Sequence, residues 1–142
     1  MPLETPEDVM EFADCTGKQR KFKFKATETG RALVRLEAHE IRNDGQPGYY
    51  FREIGMVGHL VLLRGNLNQK IREGLSGRYI VPQREGIGRW EMLTDELRGY
   101  VDYDDVNQET CLVMDGYKVT WDEFKALVSS HDGFFFRLRF ED

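Results

Sequence analysis

The hydrophobic period of this chain changes once in its first half, and that change sets the fold class. Lysines at 21, 23 and 25 alternate with phenylalanines at 22 and 24. A period of two puts each set on its own face of a β-strand. Beyond residue 57 the apolar positions are instead Leu60, Leu63, Leu67, Ile71 and Leu75, the spacing of one helical stripe. Gly65 and Gly74 each weaken such a helix by about 1 kcal/mol relative to alanine, and five aligned aliphatics outweigh them. The spacing predicts a helix over roughly 58–76, inside a helical segment 57–77.

Turn chemistry divides 18–56 into an antiparallel meander. "TETG" at 27–30 reads as the first turn, and "NDGQPG" at 43–48 gathers every turn-forming residue type into six positions. Residues 33–41 and the stretch "YYFREI" at 49–54 are the second and third strands. Ahead of them, Thr5, Pro6, Glu7 and Asp8 offer the hydroxyl, proline and acids of a helix start. The pattern predicts a short helix to about Ala13, burying Val9 and Phe12, within a lead-in spanning 1–16.

The stretch from residue 81 to 96 has little periodicity and reads as a loop with one short strand near Trp90. Residues 97–142 hold denser signals. "LRGYVDYD" alternates as a strand, with Val101 and Tyr103 opposed to Asp102 and Asp104. "CLVM-DG-YKV" is a hairpin, because Asp and Gly tolerate the positive φ of a tight two-residue turn. Thr120 with Glu123 three residues later is a capping box, and Val119 with Phe124 can staple it. The helix that follows is expected over 121–131, with Phe124, Leu127 and Val128 buried and Gly133 as its stop. "FFFRLRF" is expected to be the last strand, with Phe134, Phe136, Leu138 and Phe140 on its core face.

A chain of 142 residues has the length of one ordinary domain. It should bury roughly 70% of its unfolded surface, so it needs no staple of metal or disulfide. The expected fold is a single α+β domain over 1–142, an antiparallel sheet of about six or seven strands packed on two main helices.

For function, several classes lack a motif. No P-loop, GxGxxG, GxSxG or HExxH spacing occurs, and the acids around 115–123 do not match an EF-hand loop. No catalytic residue and no cofactor are assigned. Cys15 and Cys111 have no CxxC partner and read as reduced thiols of a cytoplasmic protein. The acidic N-terminal stretch lacks a signal-peptide pattern, and no apolar run approaches the ~20 residues of a membrane span. Two acidic arrangements could hold a metal: Asp102 with Asp104, and Glu37 with His39, each pair two residues apart on a strand face. A solvated strand end explains the first more simply, and a surface ion pair the second.

The basic strand from Lys18 to Lys25 could face nucleic acid. However, the alternation sends Phe22 and Phe24 away from the lysines, whereas base stacking needs aromatics beside the charges. A net charge of −5 also argues against that class. Lys21, Lys23, Lys25, Arg137 and Arg139 form the expected interaction surface. The favoured reading is a non-catalytic interaction or accessory module with a protein partner, a homodimer through a sheet edge being one form of it. A metal-dependent or acid/base enzyme using Asp102, Asp104, Glu37 and His39 stays open, as does nucleic-acid binding through strand 18–25.

Residues 97–142 also resemble the end of an uncharacterised bacterial domain family. Its pattern is an acidic strand, a D-G-x-x-x-[ST]-W-x-E-F turn and helix, and a closing F-x-L strand. Asp115, Gly116, Thr120, Trp121, Glu123, Phe124, Gly133, Phe134, Phe136 and Leu138 match it. "LNQKIREGL" at 67–75 resembles the same family's L-x-x-K-I-R-x-G-L helix. Members often carry a cysteine-rich zinc segment that this chain lacks. The resemblance implies a fold and no activity.

Overall fold

The computed structural model describes residues 2–3, 8–82 and 89–142. The chain is α+β with two helices and antiparallel sheets, but the sheet is not one of six or seven strands. The chain instead separates into two compact units, Met1–Gly77 and Arg78–Asp142, and each builds its own core.

The first unit contains β1 (Pro2–Leu3), β2 (Val9–Ala13), β3 (Gln19–Gly30), β4 (Leu33–Glu40), β5 (Tyr50–Met56) and α1 (Leu60–Leu75), with a 3-10 turn at Val57–His59 before the helix. Its order is β1-β3-β4-β5, with β2 also paired to β3. Phe22, Phe24 and Ala26 of β3 align with Val34, Leu36 and Ala38 of β4 on the inner face, where Leu63, Leu67, Ile71 and Leu75 of α1 cover them. The helical stripe is therefore the one its spacing predicts. The helix ends at Leu75, two residues before Gly77, and the backbone N–H and Oγ of Ser76 both donate to the carbonyl of Glu73.

The short helix expected within 1–16 is not present among the described residues. Its proposed start, Thr5–Glu7, lies outside them, and Val9–Ala13 is a strand. Val9 and Phe12, spaced by three, would share a face of a helix but take opposite faces of a strand, and the free edge of β3 decides. Met10 pairs opposite Phe22 and Phe12 opposite Arg20, which buries Phe12 and leaves Val9 exposed. The turn is made by Asp14, whose Oδ1 accepts from the Thr16 and Lys18 backbone N–H groups and the Thr16 hydroxyl. The β3–β4 turn also moves: β3 continues to Gly30, and Arg31 and Ala32 adopt φ of 51° and 61°.

The two helix glycines differ in surroundings. A Cβ at Gly65 would meet nothing within 4 Å, whereas one at Gly74 would lie 2.3 Å from the Phe51 ring. That ring is held by Tyr49, stacked at 6.1 Å, and by Phe22 at 6.0 Å. Gly65→Ala should therefore stabilise by up to ~1 kcal/mol through helix propensity. Gly74→Ala should destabilise, because the ring must leave its packed position. Urea melts giving both variants the same sign would contradict this.

The second unit contains β6 (Ile80–Pro82), β7 (Trp90–Met92), β8 (Tyr100–Asp104), β9 (Glu109–Met114), β10 (Tyr117–Val119) and α2 (Trp121–Ser129). β6 pairs with β7, and a separate sheet has the order β10-β9-β8. The hairpin turn has φ of 53° at Asp115 and 80° at Gly116. The capping box is complete: Thr120 Oγ1 accepts from the Glu123 N–H at 3.2 Å, and Glu123 Oε1 accepts from the Thr120 N–H at 2.9 Å. Ile80, Trp90, Met114, Val119 and Leu127 form the core, with Phe124 packed against it.

Three expectations fail in this unit. Val128 is exposed, as is half of Trp121, because α2 stops at Ser129 and buries only Leu127 fully. The end of β8 is not a solvated acidic face: Asp104 is buried, while Val101 and Tyr103, on the face that carries Val119, are 54% and 56% exposed. Residues 134–140 are not a strand. Their apolar side chains are 67–104% exposed, since alternation makes a strand only where an edge supplies the ladder.

Candidate functional site

The outer face of the first sheet is laid out by register. Val9, Lys23, His39 and Tyr50 form one cross-strand row, and Lys25, Glu37 and Arg52 the next. Arg35 lies one step further along β4, opposite Thr27 and Ile54, and Lys21 stands opposite Glu11. This face thus gathers Lys21, Lys23, Lys25, Arg35 and Arg52 against two carboxylates, Glu11 and Glu37.

Both carboxylates are engaged. Glu37 accepts from the Tyr50 hydroxyl at 2.6 Å, and Arg35 Nε is 3.3 Å away. His39 Nε2 stands 3.8 Å from the same carboxylate and its ring lies 4.7 Å from that of Tyr50. Partial burial pushes the His39 pKa below the ordinary value; Glu37 pulls it up and Lys25 pushes it down again. The Tyr50 hydroxyl is raised by burial and by its bond to Glu37. Glu37 and His39 do share a face, as their spacing predicts, but the face places an arginine and a tyrosine hydroxyl on that carboxylate.

Asp102 and Asp104 share a strand face but differ in their surroundings. Asp104 is buried and accepts from the Val106 and Asn107 N–H groups and the Asn107 amide, with Lys118 Nζ 3.3 Å away. Burial alone would raise its pKa, but these donors bring it below the usual value. Asp102 is exposed and accepts from the Tyr103 N–H at 2.8 Å. Among the described residues no three His, Cys, Asp or Glu side chains cluster as a metal site would require. Cys15 is exposed, Cys111 buried, and both thiols are free. Arg137 and Arg139 lie on the exposed 134–140 segment of the second unit, separate in the chain from the lysines.

Two charged features escaped sequence reasoning. At one end of the first sheet, Arg20 bridges Asp14 and Glu40 at 2.9 Å each, and Arg42 bridges Glu40 and Asp44. Burial would raise the Asp14 carboxyl, but bonds from Thr16, Arg20 and Lys18 hold it at about 2. In the second unit, buried Asp115 accepts from the Tyr79 and Ile80 N–H groups at 2.8 and 3.0 Å. The Asp-Gly dipeptide signals the turn, but no local pattern signals partners 35 residues away.

Residues 4–76 match the model of a domain of unknown function, DUF7686, over just over half the chain. The chain belongs to the DUF7686 family. Residues 80–142 match a second domain of unknown function, DUF7713. The DUF7686 match covers the first compact unit and the DUF7713 match the second, meeting near the boundary at Gly77. The basic face thus belongs wholly to the DUF7686 unit, and the exposed aromatic segment to the DUF7713 unit. No curated protein and no solved structure matches the chain.

Proposed function

We propose that this chain is a non-catalytic binding module whose open DUF7686 sheet face takes an acidic stretch of a partner protein. The observation that supports it is the five-to-two excess of cations over carboxylates on one face of a chain whose net charge is −5. Charge segregated against the overall balance favours a partner of opposite sign and speeds its encounter. Side chains at alternate strand positions recur about every 7 Å, which suits carboxylates on an extended peptide.

Protein is favoured over nucleic acid because Phe22 and Phe24 are buried on the inner face. On the outer face, Tyr50 is tied to Glu37 through its hydroxyl, so few rings are offered for base stacking. Fluorescence anisotropy with a glutamate-rich peptide and a single-stranded oligonucleotide tests the reading. Lys23→Glu with Lys25→Glu should weaken peptide binding by ~10-fold or more, since 1.4 kcal/mol spread over two reversed charges gives that factor. Tighter binding of the oligonucleotide, or a peptide affinity unchanged by the reversals, would refute it.

A further inference from the structure

The exposed segment 134–140 alternates as a strand does: Phe134, Phe136, Leu138 and Phe140 in one set, Phe135, Arg137 and Arg139 in the other. Among the described residues nothing in the second unit pairs with it as a strand, yet that unit also holds an edge strand that matches it. β8 ends its sheet, with β9 on one side only. Val101 lies opposite Leu112, which lies opposite Val119, so Val101 and Tyr103 continue the core face beyond the cover of α2. Their exposure is an unfinished part of that face.

The other face of β8 carries Asp102, opposite Cys111. That face carries three carboxylates, Asp102, Asp104 and Glu109, against one cation, Lys118, so it is negative. Added to the β8 edge, the segment would set its phenylalanines and leucine beside Val101 and Tyr103. The same placement sets Arg137 and Arg139 beside Asp102. Apolar and charged alternations both match, on opposite faces, as cross-strand pairing requires.

The chain's own segment is held elsewhere. The Phe134 ring lies 5.1 Å from that of His131, whose Nε2 is 3.5 Å from Asp95. At the far end Glu141 is close enough to raise the Arg98 pKa, after the larger effects of Glu96 and Tyr79. The near end therefore stays by the loop that precedes β8. We infer that segment 134–140 adds to the β8 edge of a second copy of this chain, giving a two-fold dimer by reciprocal strand addition. Such exchange satisfies the edge and covers the apolar face in both copies.

Light scattering coupled to size-exclusion chromatography at micromolar concentration tests this on the full chain. The expected mass is that of two chains, and truncation after Gly133 should return it to one. Arg137→Asp with Arg139→Asp, exposed positions that should leave folding intact, should also give a single chain. Adding Asp102→Arg to that variant should restore the pair. A wild-type mass of one chain, or a two-chain mass that survives truncation, overturns the inference. So does a one-chain mass in which the charge swap restores stability, because the segment would then close on its own sheet.

Discussion

Asp115→Ala is expected to cost about 4–7 kcal/mol. Two hydrogen bonds to a charged acceptor are lost at roughly 1.5–3 kcal/mol each, and alanine bears a further ~1 kcal/mol in the left-handed region. The structural basis is double: Asp115 holds the hairpin turn at φ 53° and anchors the Tyr79 and Ile80 N–H groups at the start of β6. Asp115→Asn keeps the tolerance for positive φ and an amide oxygen for the same donors, so it should cost about half as much. Both tryptophans, Trp90 and Trp121, lie in this unit, so urea melts followed by tryptophan fluorescence report on it. Equal losses for Ala and Asn, or a loss below ~1 kcal/mol for Ala, would remove Asp115 from this role.

Phe22→Ala should cost the first unit about 3–5 kcal/mol, the range for emptying a buried aromatic site. The ring is fully buried, with Phe12 edge-on at 5.8 Å and Phe51 at 6.0 Å, and rigid aromatic neighbours collapse poorly into a void. Lys23→Ala, one position along on the opposite face, should stay within ~0.5 kcal/mol. Far-UV circular dichroism during urea unfolding gives both values. A lysine loss approaching the phenylalanine loss would mean that the two faces of β3 are misassigned.

These two predictions fall on either side of what the sequence determines. The alternation Phe22–Phe24 and the stripe Leu63, Leu67, Ile71 and Leu75 are legible because each face repeats along its own element. The Asp115–Gly116 turn and the Thr120–Glu123 box are legible because every bond they need closes within four residues. Glu37 and His39 were placed on one face by parity alone. The Tyr50 hydroxyl and Arg52 join them only through the β4–β5 register.

Pairing partners distant in the chain were decided by tertiary structure alone. Val9–Ala13 fits a helix or a strand, and the edge of β3 made it a strand. Residues 134–140 carry a strand's alternation without a ladder, so the same pattern yields an exposed segment. The division into several sheets, the exposure of Val101 and Tyr103, and the reach of Asp115 to Ile80 have one physical origin. Side-chain periodicity specifies which face a residue takes, whereas backbone hydrogen bonds between strands specify only that some partner be found.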